Sequence, residues 1–90
     1  MKEASAESIR KFILQHFGEK LADEGLSSAD VQDDFDLLDT GLTDSLGIID
    51  MITEIEVEFD LEIDYEDLDP DDMTVIGALS RFIESQSKSA

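Results

Sequence analysis

Apolar residues recur at helical spacing in three stretches of the chain. Ile9, Phe12, Ile13 and Phe17 follow i, i+3, i+4, i+8 spacing and predict a first helix over about residues 5–17, with Leu21 as its furthest extent. Ser5 is placed to cap it, and Gly18 or Gly25 to stop it. Leu46, Ile49, Ile52, Ile55, Val57 and Phe59 predict a second helix over about Ser45–Phe59. Val75, Ile76, Leu79, Phe82 and Ile83 predict a last helix over about Val75–Ser85, capped by Thr74, with a frayed tail from Ser85 to Ala90.

Between these stretches the periodicity lapses. From Gly25 to Thr43, Ser, Asp and Gly interrupt a few apolar residues, a long connection for so small a chain. Leu26, Val31, Phe35, Leu37, Leu38 and Leu42 are expected to pin it to the core, with Phe35 and Leu38 as chief anchors and a helical turn near Ser28–Val31 or Phe35–Leu38. Leu61–Ile63 alternates like a strand, but a single strand has no partner, so an extended connector is expected. A short helical turn should follow at Tyr65–Leu68, before Pro70 interrupts. The pattern predicts an all-α fold, a small helical bundle with three main helices and a long first loop. Its core should draw on Ile9, Phe12, Ile13 and Phe17, on Phe35 and Leu38, on Ile52, Ile55 and Phe59, on Ile63 and Leu68, and on Leu79, Phe82 and Ile83.

Ninety residues make one domain, residues 1–90, with its packed part over about 5–85 and a flexible tail at 86–90. The chain has no cysteine, so neither a disulfide framework nor a thiolate metal site is available, and any thiol must come from an attached group. No apolar run matches a secretory signal or a membrane span, which makes a soluble cytoplasmic protein the expectation.

Charge narrows the partners. The formal net charge is −18, and no Lys or Arg lies between Lys20 and Arg81. Such a chain repels nucleic acid and anionic lipid, so neither is an expected partner, and self-repulsion favours a monomer. Asp50, Glu54 and Glu58 form an i, i+4, i+8 row on the second helix. Each like-charge pair at that spacing costs about 0.2–0.5 kcal/mol in an isolated helix, so the row reads as a surface presented to a basic partner or as a solvated face.

The segment Asp39-Thr40-Gly41-Leu42-Thr43-Asp44-Ser45-Leu46 carries the clearest chemical signal. Asp44 is suited to N-cap the second helix, which makes Ser45 its first residue. A helix N-terminus offers free N–H groups and a partial positive charge, a favourable field for a phosphate esterified to the Ser45 hydroxyl. The plain alternative is an ordinary helix-start serine. No activating base stands near Ser45 in sequence, and the single histidine, His16, reads as a helix-surface residue, so an enzyme is not expected. Asp60, Glu62 and Asp64 alternate as in a calcium loop over Asp60–Asp71, but Tyr65 stands where the required Gly would be and Asp71 where Glu would be. No specific metal site is expected, only weak divalent-ion binding by the acidic surface.

Asp44-Ser45-Leu46 before an acidic amphipathic helix, with Glu58-Phe59-Asp60 at its exit, resembles the acyl and peptidyl carrier protein family over nearly the whole chain. The resemblance implies a four-helix bundle in which a short third helix precedes the last. It also implies a 4′-phosphopantetheine arm, derived from coenzyme A, on Ser45, with Asp44 and Leu46 flanking the attachment point. A phosphopantetheinyl transferase and acyl- or aminoacyl-loading and transfer enzymes with basic docking surfaces would be the partners. By the same resemblance, Leu46, Ile49, Asp50, Thr53, Glu54 and Val57 align with partner-contacting positions, and Asp44 would help position the modifying enzyme. Gly47 follows the triplet where an acidic residue is common, and Asp64 follows Ile63 where proline is frequent. Gly47 is expected to let a partner or cargo approach closely, and it leans the pathway towards secondary metabolism, envelope modification or specialised lipid synthesis. An unmodified acidic adaptor that binds a basic protein through the second helix is the rival reading.

Overall fold

The computed structural model describes residues 4–88, which form an all-α fold. Among the described residues there are four α-helices: α1 (Ala6–His16), α2 (Gly18–Asp23), α3 (Ser45–Glu58) and α4 (Ile76–Lys88). Single 3-10 turns sit at Ser28–Asp30 and Tyr65–Asp67. The predicted turns near Ser28 and Tyr65 are therefore present, the second as one 3-10 turn where a short third helix was expected. The additional short helix is α2, which directly follows α1.

The start of α1 is doubly capped. Ser5 and Ser8 form a reciprocal capping box, with the Ser8 N–H donating to Ser5 Oγ at 3.1 Å and the Ser5 N–H to Ser8 Oγ at 3.0 Å. The Ala6 N–H donates to Glu84 Oε2 of α4 at 2.8 Å, which ties both ends of the chain together. At Phe17 the helix breaks and restarts, keeping Phe17 and Leu21 buried. Of the two predicted stops, Gly18 begins α2 and Gly25 ends it: Gly25 is left-handed at φ 73°, and the Leu26 N–H reaches back to the Leu21 carbonyl at 2.8 Å.

The long loop closes onto α4 through its backbone. The Ile76 N–H donates to the Phe35 carbonyl at 3.0 Å and the Gly77 N–H to the Asp33 carbonyl at 2.9 Å, so loop carbonyls satisfy donors that the first turn of α4 cannot. The Thr74 hydroxyl, expected as a cap, donates instead to Asp36 Oδ2 at 3.0 Å. Arg10 and Arg81 both reach Asp33, at 2.6 and 3.3 Å, and Arg10 also donates to the Val31 carbonyl. The tail expected from Ser85 is helical through Lys88, because Gln86 accepts from the Asp64 N–H and Ser87 donates to Glu84 and Ala4 carbonyls. Ser89 and Ala90 lie outside the described residues.

Ile9, Ile13, Phe17, Ile52, Ile55, Phe59, Ile63, Leu68, Leu79 and Ile83 are buried as predicted, while Phe12, Phe35 and Phe82 are partly buried against them. Leu38 is the exception, at 41 % exposed. The loop is held instead by Val31, Leu37 and Leu42, each nearly fully buried. On α3 the core face is Ile48, Met51, Ile52 and Ile55, so Leu46, Ile49 and Val57 belong to its other side.

Candidate functional site

A hook in the loop sets the start of α3. Asp36 Oδ1 accepts from the Leu38 and Asp39 N–H groups at 2.9 and 2.8 Å, and the Asp36 carbonyl accepts from the Thr40 N–H and hydroxyl. Gly41, left-handed at φ 78°, turns the chain so that Leu37 and Leu42 both enter the core. The Thr43 N–H then bonds the Leu37 carbonyl at 3.1 Å. Burial acts to raise the Asp36 carboxyl, but hydrogen bonds from the Asp39 N–H, the Thr74 hydroxyl and the Leu38 N–H outweigh it and hold the group below the usual carboxylate range.

Asp44 leaves this hook in extended conformation and caps α3, its Oδ1 accepting from the Gly47 N–H at 2.8 Å. Ser45 is the first helical residue and is exposed, as are Asp44 and Leu46. The predicted N-cap, helix start and serine position therefore coincide.

The predicted partner-surface residues share the outward side of α3. Leu46 is 73 % and Val57 79 % exposed, Ile49 is 42 % exposed, and Asp50, Thr53 and Glu54 are exposed as well. On a helix, positions 46, 49, 53 and 57 fall on one line, so these residues form a strip down the length of α3, edged by Asp50 and Glu54. Singly exposed apolar side chains are ordinary; a contiguous row of them is what makes a candidate contact surface.

Other contributors were not legible in the sequence. Tyr65, 44 % exposed, stands beside this face; partial burial and the Glu56 carboxylate push its phenol above the ordinary value, opposed by the Thr53 hydroxyl. His16 of α1 places Nδ1 2.9 Å from Glu54 Oε2, with its ring edge-on to Phe17 at 4.8 Å. Thr43 is buried, its hydroxyl covered and without a hydrogen-bond partner among the described residues. That side chain occupies the space a Gly47 side chain would need. Gly47 thus has a reason in internal packing that is independent of any partner or cargo.

No family model, curated protein or solved structure matches the chain. Among the described residues no cluster of His, Asp or Glu is arranged to hold a metal ion, and no helix is long and apolar enough to cross a membrane.

Proposed function

We propose that the protein is a carrier that holds an acyl or aminoacyl group as a thioester on a 4′-phosphopantetheine arm attached to Ser45 and presents it to partner enzymes. The observation that supports this reading best is the pairing of an exposed serine at the first position of α3 with an exposed apolar and acidic strip running from it. An attachment point must admit the modifying enzyme, and Ser45 is exposed beside a capped, rigid helix end. The helix field there favours the phosphodiester that links the arm. In this reading the fold is a carrier-type four-helix bundle and the chain catalyses nothing. Asp44 orients the modifying enzyme, and Leu46, Ile49, Asp50, Thr53, Glu54 and Val57 meet apolar and basic residues of successive partners. Exposed charge pairs are screened beyond roughly 8–10 Å at physiological ionic strength, so such docking is brief and salt-sensitive.

Intact-mass measurement after incubation with coenzyme A and a phosphopantetheinyl transferase tests the tether. One phosphopantetheine added to the native chain and none to Ser45→Ala is the expected result. No gain on the native chain would favour the unmodified adaptor, which the same apolar strip also suits.

A further inference from the structure

We propose that the seam between α1 and α3 is a docking trough for a single helix of a partner protein, one that carries a basic edge and an acidic edge. Three open depressions of about 400, 460 and 440 Å³ follow one another along this seam. The first two share Phe12 and Glu58 and the last two share Thr53 and Glu54, so they run end to end as one trough, bridged at one point by His16 Nδ1 and Glu54 Oε2 at 2.9 Å, a contact the occupant's cation would compete with. Ser5 and Ser8 at the start of α1 line the same depression as Phe59 at the end of α3, and His16 at the end of α1 lines the same one as Gly47 at the start of α3; α1 and α3 are therefore antiparallel walls, with Lys20 of α2 extending the first. The 14 residues of α3 give a bed of about 21 Å, enough for several turns of a third helix resting in the groove of two.

The occupant's chemistry follows from the walls. On the α3 side the trough presents Asp50, Glu54 and Glu58, one helical turn apart, while the other wall presents Lys11 of α1, 3.7 Å from Glu7, and Lys20 of α2. Phe12, packed edge-on to Phe59 at 5.9 Å, and the exposed Val57 supply an apolar middle. A helix with an apolar stripe, cations towards α3 and carboxylates towards α1 and α2 complements all of these at once. A second copy of the chain would bring another net charge of −18 to the contact, and anionic lipid or nucleic acid would meet the same repulsion.

The inference rests on the carrier reading only in taking the α3 strip as one edge of the contact, and its test uses the unmodified chain so that the two can fail separately. The probe is a synthetic amphipathic helix of zero net charge, with Lys at i, i+4, i+8 on one edge, Glu on the other and Leu between, titrated into ¹⁵N-labelled protein. Amide shifts should appear together at Lys11, Gln15 and Lys20 and at Asp50, Glu54 and Glu58. The double exchange Lys11→Glu and Lys20→Glu, at exposed positions whose effect on folding circular dichroism would check, should weaken binding about fivefold, the loss typical of removing a significant interface contact. Generic attraction of Lys to an acidic chain gives the opposite sign, because the exchange adds negative charge. Shifts confined to α3, tighter or unchanged binding by the exchanged chain, no binding, or a dimer of the chain filling the seam would each overturn the trough. If the trough holds while Ser45 takes up no arm, the adaptor reading stands in place of the carrier.

Discussion

The Thr43 hydroxyl rests against Gly47 so closely that a Cβ on Gly47 would overlap it, with Thr43 Cβ at 3.3 Å and Asp44 Oδ1 at 3.4 Å completing the crowding. A glycine in the first turn of a 14-residue helix is thereby explained. Gly47→Ala would gain about 0.5–1 kcal/mol of helix propensity. Overpacking costs about 1–3 kcal/mol, so a net loss of about 1 kcal/mol is expected in urea unfolding. Thr43→Ala clears the space, and the double variant should recover most of that loss, giving a coupling that independent sites would not show.

The same hydroxyl yields a prediction of the opposite sign. A buried polar group without a partner costs about 1–3 kcal/mol, so Thr43→Val, which keeps the shape and drops the polarity, should be neutral or more stable by about 1 kcal/mol. A clear loss of stability would mean that the hydroxyl has a partner after all.

Gly77 poses a harder constraint. A Cβ there would lie 2.7 Å from the Asp33 carbonyl oxygen and 2.8 Å from its Cβ. The backbone is fixed on both sides, since the same carbonyl accepts the Gly77 N–H and the Asp33 carboxylate is held by Arg10 and Arg81. Gly77→Ala must push the loop off α4, and a loss at the upper end of about 1–3 kcal/mol is expected from thermal or urea unfolding. Asp33→Ala, which leaves the carbonyl in place, should rescue Gly77→Ala only in part.

What could be read from the sequence follows from what is local. α1, α3 and α4 emerge from spacing, and the Asp44 cap and Ser45 start emerge from residue types that act within one turn. The loop anchors do not. Leu37 and Leu38 are equivalent to any pattern, and the choice between them is made by the Asp36 hook and by the Leu37 N–H bonding the Thr74 carbonyl at 2.7 Å, a contact across the fold. On α3, Ile48 and Ile49 are adjacent and apolar, so periodicity alone could not say which faced inward; in the fold Ile48 is buried and Ile49 is exposed. The α1 wall of the trough was likewise hidden, because it exists only once α1 and α3 lie side by side.

Asp36 makes the loop sensitive to acid. Its folded-state carboxyl lies below its ordinary value of 3.8, so the folded state prefers the ionised form. The stability this gives is fully present above the unfolded-state value and is lost as pH falls through the lower folded-state value. Asp36→Asn should therefore be less stable than the native chain at pH 7, by about 1 kcal/mol, the difference between a hydrogen bond to a charged and to a neutral acceptor. The two chains should converge as pH drops below about 4. Urea midpoints across pH 7 to 3 would measure this, and a difference that persists unchanged in acid would assign the loss to packing instead.

Asp60 ends α3 in the left-handed region at φ 53°, where the Leu61 N–H reaches back to the Glu56 carbonyl at 3.0 Å. That conformation costs an ordinary L-residue about 1–2 kcal/mol, and Asp and Asn tolerate it better than most while glycine adopts it freely. The carboxylate also sits at the negative end of the helix, where an anion is disfavoured by about 0.3–1 kcal/mol. Asp60→Asn removes only the charge, and Asp60→Gly removes both the charge and the strain. Stability should therefore rise in the order Asp60→Ala, native, Asp60→Asn, Asp60→Gly, with about 1 kcal/mol between the native chain and the glycine variant. Thermal unfolding at low and high salt separates the contributions, since the gain from asparagine shrinks as salt screens the helix charge, whereas the further gain from glycine does not.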